Sequence, residues 1–313
     1  APSRFRGHRH VPATQFSSPA EQKQVVDRII DVILSSVENL SREDFSAMEW
    51  ALNEITDNVL THAATQAGGL VQVTTFLRNH RRVQFIVCDA GTSIPATLRE
   101  TNPAITSDTD ALGRAVKEGV TRDPKVGQGN GLFGTFEVCR KGNGEFQIHS
   151  RHAFFNYDRR QRLHVRPTTI PYSGTLVLAT IDCSKPGILQ EALRFGGQKY
   201  CPTGTIETRY ESSSDEEVQF RLCEEAESFG SRPAGEAVRV KISNLMRMTT
   251  GSITIDFDGV PIVSSSFADE VFGKLFIQLG LTRFMQCIHL TNTSETVQSL
   301  IDKAVAQRVA SGQ

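Results

Sequence analysis

The sequence predicts an α/β protein: a two-layer α/β sandwich with a mixed sheet and helices on one face, followed by a second, small α/β domain. Three observations lead there. Two amphipathic helices precede the first strand-like runs. A glycine-rich turn at Gly127–Gly134 opens a further helix and leads into an antiparallel meander, not into repeated strand–helix units. Beyond residue 186 the chain turns acidic and serine-rich, and patterned sequence returns only after residue 235.

Size and composition fit this reading. A chain of 313 residues is long for a single core and suits two domains. The hydrophobic share of 39%, charged share of 22% and net charge of −1 describe a soluble globular protein. Such a balance gives no general electrostatic reason to expect nucleic acid as a partner. The six cysteines form no CxxC pair and no zinc-type spacing, so they read as reduced thiols of a cytoplasmic protein. No apolar run reaches membrane length, and no signal-peptide pattern occurs.

Residues 1–18 are basic, contain Pro and Ser, and read as an arm without apolar period. Val25, Val26, Ile29, Ile30, Ile33, Val37 and Leu40 then recur at helical spacing. A second helix starts at Ser41, a natural N-cap with Asp44 three residues on, and carries the stripe Phe45, Met48, Leu52, Ile55 and Val59. Strand runs follow at Leu70–Leu77 and Val83–Cys88. The polar stretch Ala96–Val126 shows one helix, around Asp110–Glu118. After the glycine turn and the helix through Thr135–Arg140, strands are expected at Glu145–Ser150, His152–Tyr157, Arg162–Arg166 and Gly174–Ile181. The first domain therefore spans 19–185, an acidic linker or insertion 186–235, and the last domain 236–313. In the last domain order returns at Val238–Ile242, with strands at Ile253–Phe257 and Val260–Val263 and helices over Phe267–Leu279 and Glu295–Val309.

Three motifs carry chemistry. Glu54, Asn58 and His62 recur at four-residue steps along one polar face of the second helix. The strand Val83–Cys88 runs into Asp89-Ala90-Gly91-Thr92-Ser93-Ile94-Pro95, a tight turn that presents a carboxylate able to accept from an exocyclic amine. In Gly127-Gln128-Gly129-Asn130-Gly131-Leu132, alternate glycines let backbone N–H groups approach phosphate oxygens, and a helix N-terminus follows. The loop lacks the Gly-Lys-Ser/Thr ending of a Walker A loop.

Together, in this order, the motifs resemble those of the GHKL (Bergerat-type, histidine-kinase-like) ATPases over residues 20–183. The segment Asn53–Ala63 is similar to the N-box with its E-x-x-x-N core, and Asp89–Pro95 to the G1 box. Gly127–Leu132 is similar to the G2 box, Ala115–Thr121 to the lid segment, and Gly174-Thr175 to the later Gly-Thr of the adenine pocket. Ser93 stands where the G1 pattern has its second glycine. The resemblance implies ATP and Mg2+ as cofactors. Asn58 would ligate Mg2+, and Glu54 would be the catalytic acid–base group that orients or deprotonates the attacking water or hydroxyl. Asp89 would read adenine with Thr175 beside it, and Gly91 and Ile94 of the same turn would also bind ATP. Gly127, Gly129, Gly131 and Leu132 would line the phosphates, with Lys125 just upstream.

The C-terminal stretch Ile253–Val263, then Ser264-Ser265-Ser266-Phe267-Ala268-Asp269-Glu270, resembles STAS-like domains, whose signature ends in F-A-D-E. In ordinary STAS domains a serine at this junction accepts phosphate from a GHKL-type kinase, which makes Ser265 and Ser266 candidate phosphoacceptors. Serine is also favoured simply as a helix cap there. The expected function is a Mg2+-dependent ATPase or serine/threonine-type protein kinase that switches a regulatory protein partner. The alternative is a nucleotide-gated binding module without hydrolysis. Dimers are common in proteins of this resemblance, and a sensor histidine kinase is disfavoured because no membrane span or helical-hairpin histidine precedes the ATPase region.

Overall fold

The computed structural model describes residues 10–37, 40–76, 81–120, 130–184, 187, 189, 192–195, 197–202, 209–210, 217–249 and 251–311. The chain divides into two compact units, residues 1–202 and 203–313.

The first unit is built on a five-stranded sheet with strands β1 (His10–Phe16), β2 (Gly69–Phe76), β3 (Arg82–Asp89), β4 (Glu145–Tyr157) and β5 (Leu163–Asp182). Their spatial order is β1-β2-β3-β5-β4, and every pairing is antiparallel. The expected mixed sheet is thus corrected: among the described strands of this unit none is parallel. The pleat of β3 buries Val83, Phe85, Val87 and Asp89 and leaves the alternate residues half-exposed, so one face is covered. Helices α1 (Pro19–Ser36) and α2 (Arg42–His62) supply that cover, joined by α5 (Gly131–Lys141). Ile29, Phe45, Met48, Leu52 and Ile55 form the helical side of the core, facing Val71, Val73, Phe85, Phe146 and Ile148 from the sheet.

Local chemistry explains the helix starts. Ser18 caps α1 with Pro19 following, and Glu21 reaches back to the Ser17 amide at 2.7 Å. Ser41 caps α2 by accepting from the Asp44 amide at 3.1 Å.

The expected arm over 1–18 is corrected over its last part. Residues 10–16 form the edge strand β1, with Val11 and Phe16 fully buried. Two inward apolar residues separated by a register shift leave no alternation to read. The polar stretch after the G1-like turn holds two helices rather than one, α3 (Ile94–Thr101) and α4 (Asp108–Ala115), capped by Ser93 and Ser107. Each spans eight residues, too short to show a period, yet Leu98, Ile105, Ala111 and Ala115 close a small apolar core of their own.

The second unit has a parallel three-stranded sheet, in the order β10 (Ile288–Thr291), β9 (Ser252–Asp256) and β8 (Glu217–Arg221). Strand β8 (Glu217–Arg221) and the short helix α6 (Leu222–Glu225) arise inside the segment expected to be a linker. Val218, Phe220 and Leu222 are buried there, an apolar alternation hidden by acidic neighbours. The following helix α7 (Arg232–Met248) is capped by Ser231 and absorbs Val238–Ile242. Strand β9 (Ser252–Asp256) is in place, whereas Val260–Val263 is irregular rather than extended in a ladder. The expected helix from Phe267 is broken into α8 (Ser265–Ala268), a π-helical turn at Asp269–Gly273 and α9 (Lys274–Leu279). Helix α10 (Leu281–Cys287), strand β10 (Ile288–Thr291) and helix α11 (Glu295–Ser311) complete the unit.

The Asp269-Glu270 pair has an architectural role. Glu270 is 1% exposed and meets Arg232 at 3.1 Å, Arg239 at 3.2 Å and Lys274 at 2.6 Å. Asp269 pairs with Arg308 at 2.7 Å and Arg232 at 3.0 Å. Burial alone would raise the Glu270 carboxyl, but Lys274, Arg232 and Arg239 hold it below its ordinary value. These acids tie α7, α9 and α11 to the π-turn.

Candidate functional site

In the first unit a cavity of about 490 Å³ lies against the polar face of α2. Its lining includes Glu54, Asn58 and His62 from α2, Asp89 from the end of β3, Ile94 from the start of α3, Gly131 and Leu132 from the start of α5, and Thr175 from β5. The four-residue steps on α2 place Glu54, Asn58 and His62 in line along one side of the helix, with Ile55 and Val59 of the apolar stripe beside them at the cavity.

Asp89 is 8% exposed, and its Oδ1 accepts from the Gly91 amide at 2.8 Å. Burial pushes its carboxyl above the ordinary aspartate value, although the Gly91 and Thr175 amides pull the other way. Gly91 lines no part of the cavity but makes the turn, because a Cβ there would run into the carbonyl of Ala63. The Thr92 amide donates to that same carbonyl at 2.6 Å, which locks the turn against the end of α2. Gly174 adopts φ +94°, and a Cβ on it would lie 2.7 Å from Asp89 Oδ1.

Ser93 has φ −79° and caps α3 through the Ala96 amide. No left-handed backbone is required there, so serine is compatible with the turn, which ends directly in a helix.

Glu54 is half-buried. Burial first, and then the nearby charge of Asp57, raise its carboxyl above the ordinary value. At the start of α5, Asn130 turns its amide oxygen to the Gly119 amide at 3.2 Å, tying the helix to the segment after α4. Ile94 and Leu132 pack on the small core of α3 and α4. Lys125, Gly127 and Gly129 lie outside the described residues.

Several residues of the site have no signature in sequence. Ser150 is fully buried and donates to the Gly174 carbonyl at 2.7 Å while accepting from the Ile94 amide at 3.1 Å. It stitches the Asp89 turn to the Gly174-Thr175 strand. Trp50 stands one turn before Glu54 and joins Phe195 and Tyr200 at the cavity wall, with ring centres 5.9 and 6.3 Å away. Phe195 and Tyr200 come with the short hairpin β6 (Arg194–Phe195) and β7 (Gln198–Lys199).

In the second unit Ser264 caps α8, accepting from the Phe267 amide at 3.1 Å. Ser266 is half-buried, with its hydroxyl 3.0 Å from that of Ser264. Ser265 is exposed. The six cysteines are free thiols, and burial pushes Cys183 up to about 12 and Cys139 higher still, which leaves both unreactive. Among the described residues no helix is long and apolar enough to cross a membrane.

Residues 234–298 match the model of a family described as a STAS-like domain of unknown function (DUF4325). The match covers the core of the second unit, from α7 through β10. No curated protein matches the chain.

Proposed function

We propose that the first unit is an ATP-binding domain of the GHKL type that uses the terminal phosphate and switches a protein partner. One observation carries this reading. Residues from four separated stretches, selected as nucleotide-binding by their motifs, line a single cavity: Glu54, Asn58, Asp89, Ile94, Gly131, Leu132 and Thr175.

In this reading Asp89, held by two backbone amides, accepts from the adenine amine with the Thr175 side chain beside it. The phosphates run along α2 toward the N-terminus of α5, whose free N–H groups and dipole favour anions. Gly127 and Gly129 join this cradle by their motif.

The donor set suits Mg2+. Asn58 offers an amide oxygen, and the described residues contain no group of three or more His, Cys, Asp or Glu side chains that could hold a metal unaided. A hard cation that keeps waters and phosphate oxygens needs few protein ligands. When bound, it would neutralise charge on the phosphates. Glu54, with its raised carboxyl, would orient the attacking hydroxyl or water and take its proton.

For the second unit, exposure makes Ser265 the preferred phosphoacceptor, with Ser266 second and Ser264 engaged as the cap. Cytoplasmic residence is part of the proposal. Incubation with ATP and Mg2+ followed by mass spectrometry tests the whole reading, because it separates phosphate transfer to protein, release of inorganic phosphate, and neither. Nucleotide binding with neither product would leave a gated binding module, and no binding at all would remove the proposal.

A further inference from the structure

The chain-wide charge of −1 conceals a strongly basic strand pair. Between residues 151 and 172 lie Arg151, Arg159, Arg160, Arg162 and Arg166 against the single acid Asp158, a local charge of +4 that leaves −5 for the rest of the chain. These residues form the outer half of the β4–β5 hairpin, where Tyr157 pairs with Leu163 and Ala153 with Pro167.

The pleat sorts them into two faces. Ala153, Phe155 and Tyr157 are buried, and Phe136 meets the last two edge-on. On the opposite face Phe154 stands across from Arg166, and Asn156 across from His164. The guanidinium of Arg166 lies 5.3 Å from the ring centre of Phe154. His149 follows 6.0 Å from Phe154, and Tyr172 follows 5.6 Å from His149. A row of three rings, two from β4 and one from β5, therefore carries an arginine over one end.

Carboxylates neutralise only part of this charge. Arg162 pairs with Asp158 at 2.7 Å, and Arg159 pairs with Glu145. Arg151 lies near Asp108, which Arg99 already holds at 2.8 Å. Arg160 and Arg166 are exposed, and among the described residues no acid pairs with either.

We propose that this face binds single-stranded nucleic acid, with Arg160 and Arg166 against phosphates and Phe154, His149 and Tyr172 offering surfaces for bases. The planar guanidinium suits phosphate oxygens, and aromatic side chains beside a basic track are what unpaired bases stack on. An acidic polypeptide would satisfy the arginines but leave the ring row without a matching partner. A duplex would keep its bases from the rings. The face lies on the side of the sheet opposite the one that buries Asp89, so it stands or falls independently of the nucleotide reading.

Fluorescence anisotropy on the full chain decides it, with labelled oligo(dT) and oligo(U) of about 16 nucleotides, the upper end of the usual span of one single-strand-binding fold. At least one oligomer binds at low salt and loses about tenfold or more in affinity between about 50 and about 200 mM salt. The pair of curves tells DNA from RNA. Arg160→Ala with Arg166→Ala, both exposed, costs about tenfold and flattens the salt slope by 1–2, while thermal unfolding stays unchanged. Phe154→Leu weakens binding about tenfold at an unchanged salt slope. The proposal is overturned if neither oligomer binds at low salt, if a duplex binds as tightly, or if poly-glutamate competes on equal terms. It is equally overturned if the arginine pair or Phe154 can be replaced without effect.

Discussion

Gly131 stands directly against Glu54: a Cβ at position 131 would lie 2.5 Å from Glu54 Oε2. The first residue of α5 and the candidate catalytic carboxylate thus share one space, and only the missing side chain admits the acid there. Gly131→Ala meets the mobile end of a side chain, so the fold should survive and Glu54 should move. Turnover is expected to fall by at least about tenfold, since misplacing a reacting group by about 1 Å costs up to 100-fold. Nucleotide affinity should hold within a few-fold. Steady-state kinetics beside calorimetry reads both, and native turnover in this variant would unseat Glu54 from its role.

Glu54→Ala should keep ATP binding while turnover drops by about two orders of magnitude or more, the usual scale for a general base. Asn58→Ala should instead lose the Mg2+-dependent part of the binding. Titrations with and without Mg2+ separate the two variants, and ATP hydrolysis at the native rate by Glu54→Ala would point to a different base.

Asp89→Asn retains size but replaces one accepting oxygen with a donor, so the side chain can no longer accept from both the Gly91 amide and the adenine amine. Affinity should fall by about 10- to 100-fold, the range for an unmatched buried hydrogen-bonding group. The carboxyl is raised by burial, so the native protein should begin losing ATP affinity on acidification above the ordinary aspartate range. The sign follows from the chemistry: ionised Asp89 only accepts, whereas the protonated form presents a donor to the amine. Equal affinities in calorimetry for the two proteins would remove Asp89 from the adenine site.

Glu54 also makes a stability prediction. Its folded-state carboxyl is raised, so its contribution favours the fold below the unfolded value and is lost as pH rises through the folded one. Glu54→Gln should therefore melt at a higher temperature than the native protein at neutral pH. The difference should close as pH falls into the carboxylate range. A melting temperature unchanged at all pH values would mean that the acid carries no burial cost.

At Ser264 the hydroxyl is the α8 cap, so Ser264→Ala should cost about 1 kcal/mol of stability. Ser265→Ala should leave unfolding untouched and abolish the phosphopeptide expected after incubation with ATP and Mg2+. A phosphopeptide that persists in Ser265→Ala but vanishes in Ser266→Ala would transfer the role to Ser266.

What sequence alone determined is the set of elements with a full period and the residue types each motif carries. The stripe Phe45, Met48, Leu52, Ile55, Val59 placed α2, and its four-residue steps aligned Glu54, Asn58 and His62. The alternation of Val83–Cys88 placed β3 and set Asp89 at its end. Short or shielded elements stayed illegible, because two or three inward residues make no period: β1 shows only Val11 and Phe16, and β8 hides Val218 and Phe220 among acids. Tertiary structure alone decided which distant groups meet. Ser150 joins the Ile94 amide to the Gly174 carbonyl across 56 and 24 residues of chain. Phe154 of β4 and Arg166 of β5 meet only through strand register. Side-chain periodicity records which face of one element is buried, whereas pairing register and close backbone approach belong to two elements at once, and no single stretch of sequence carries them.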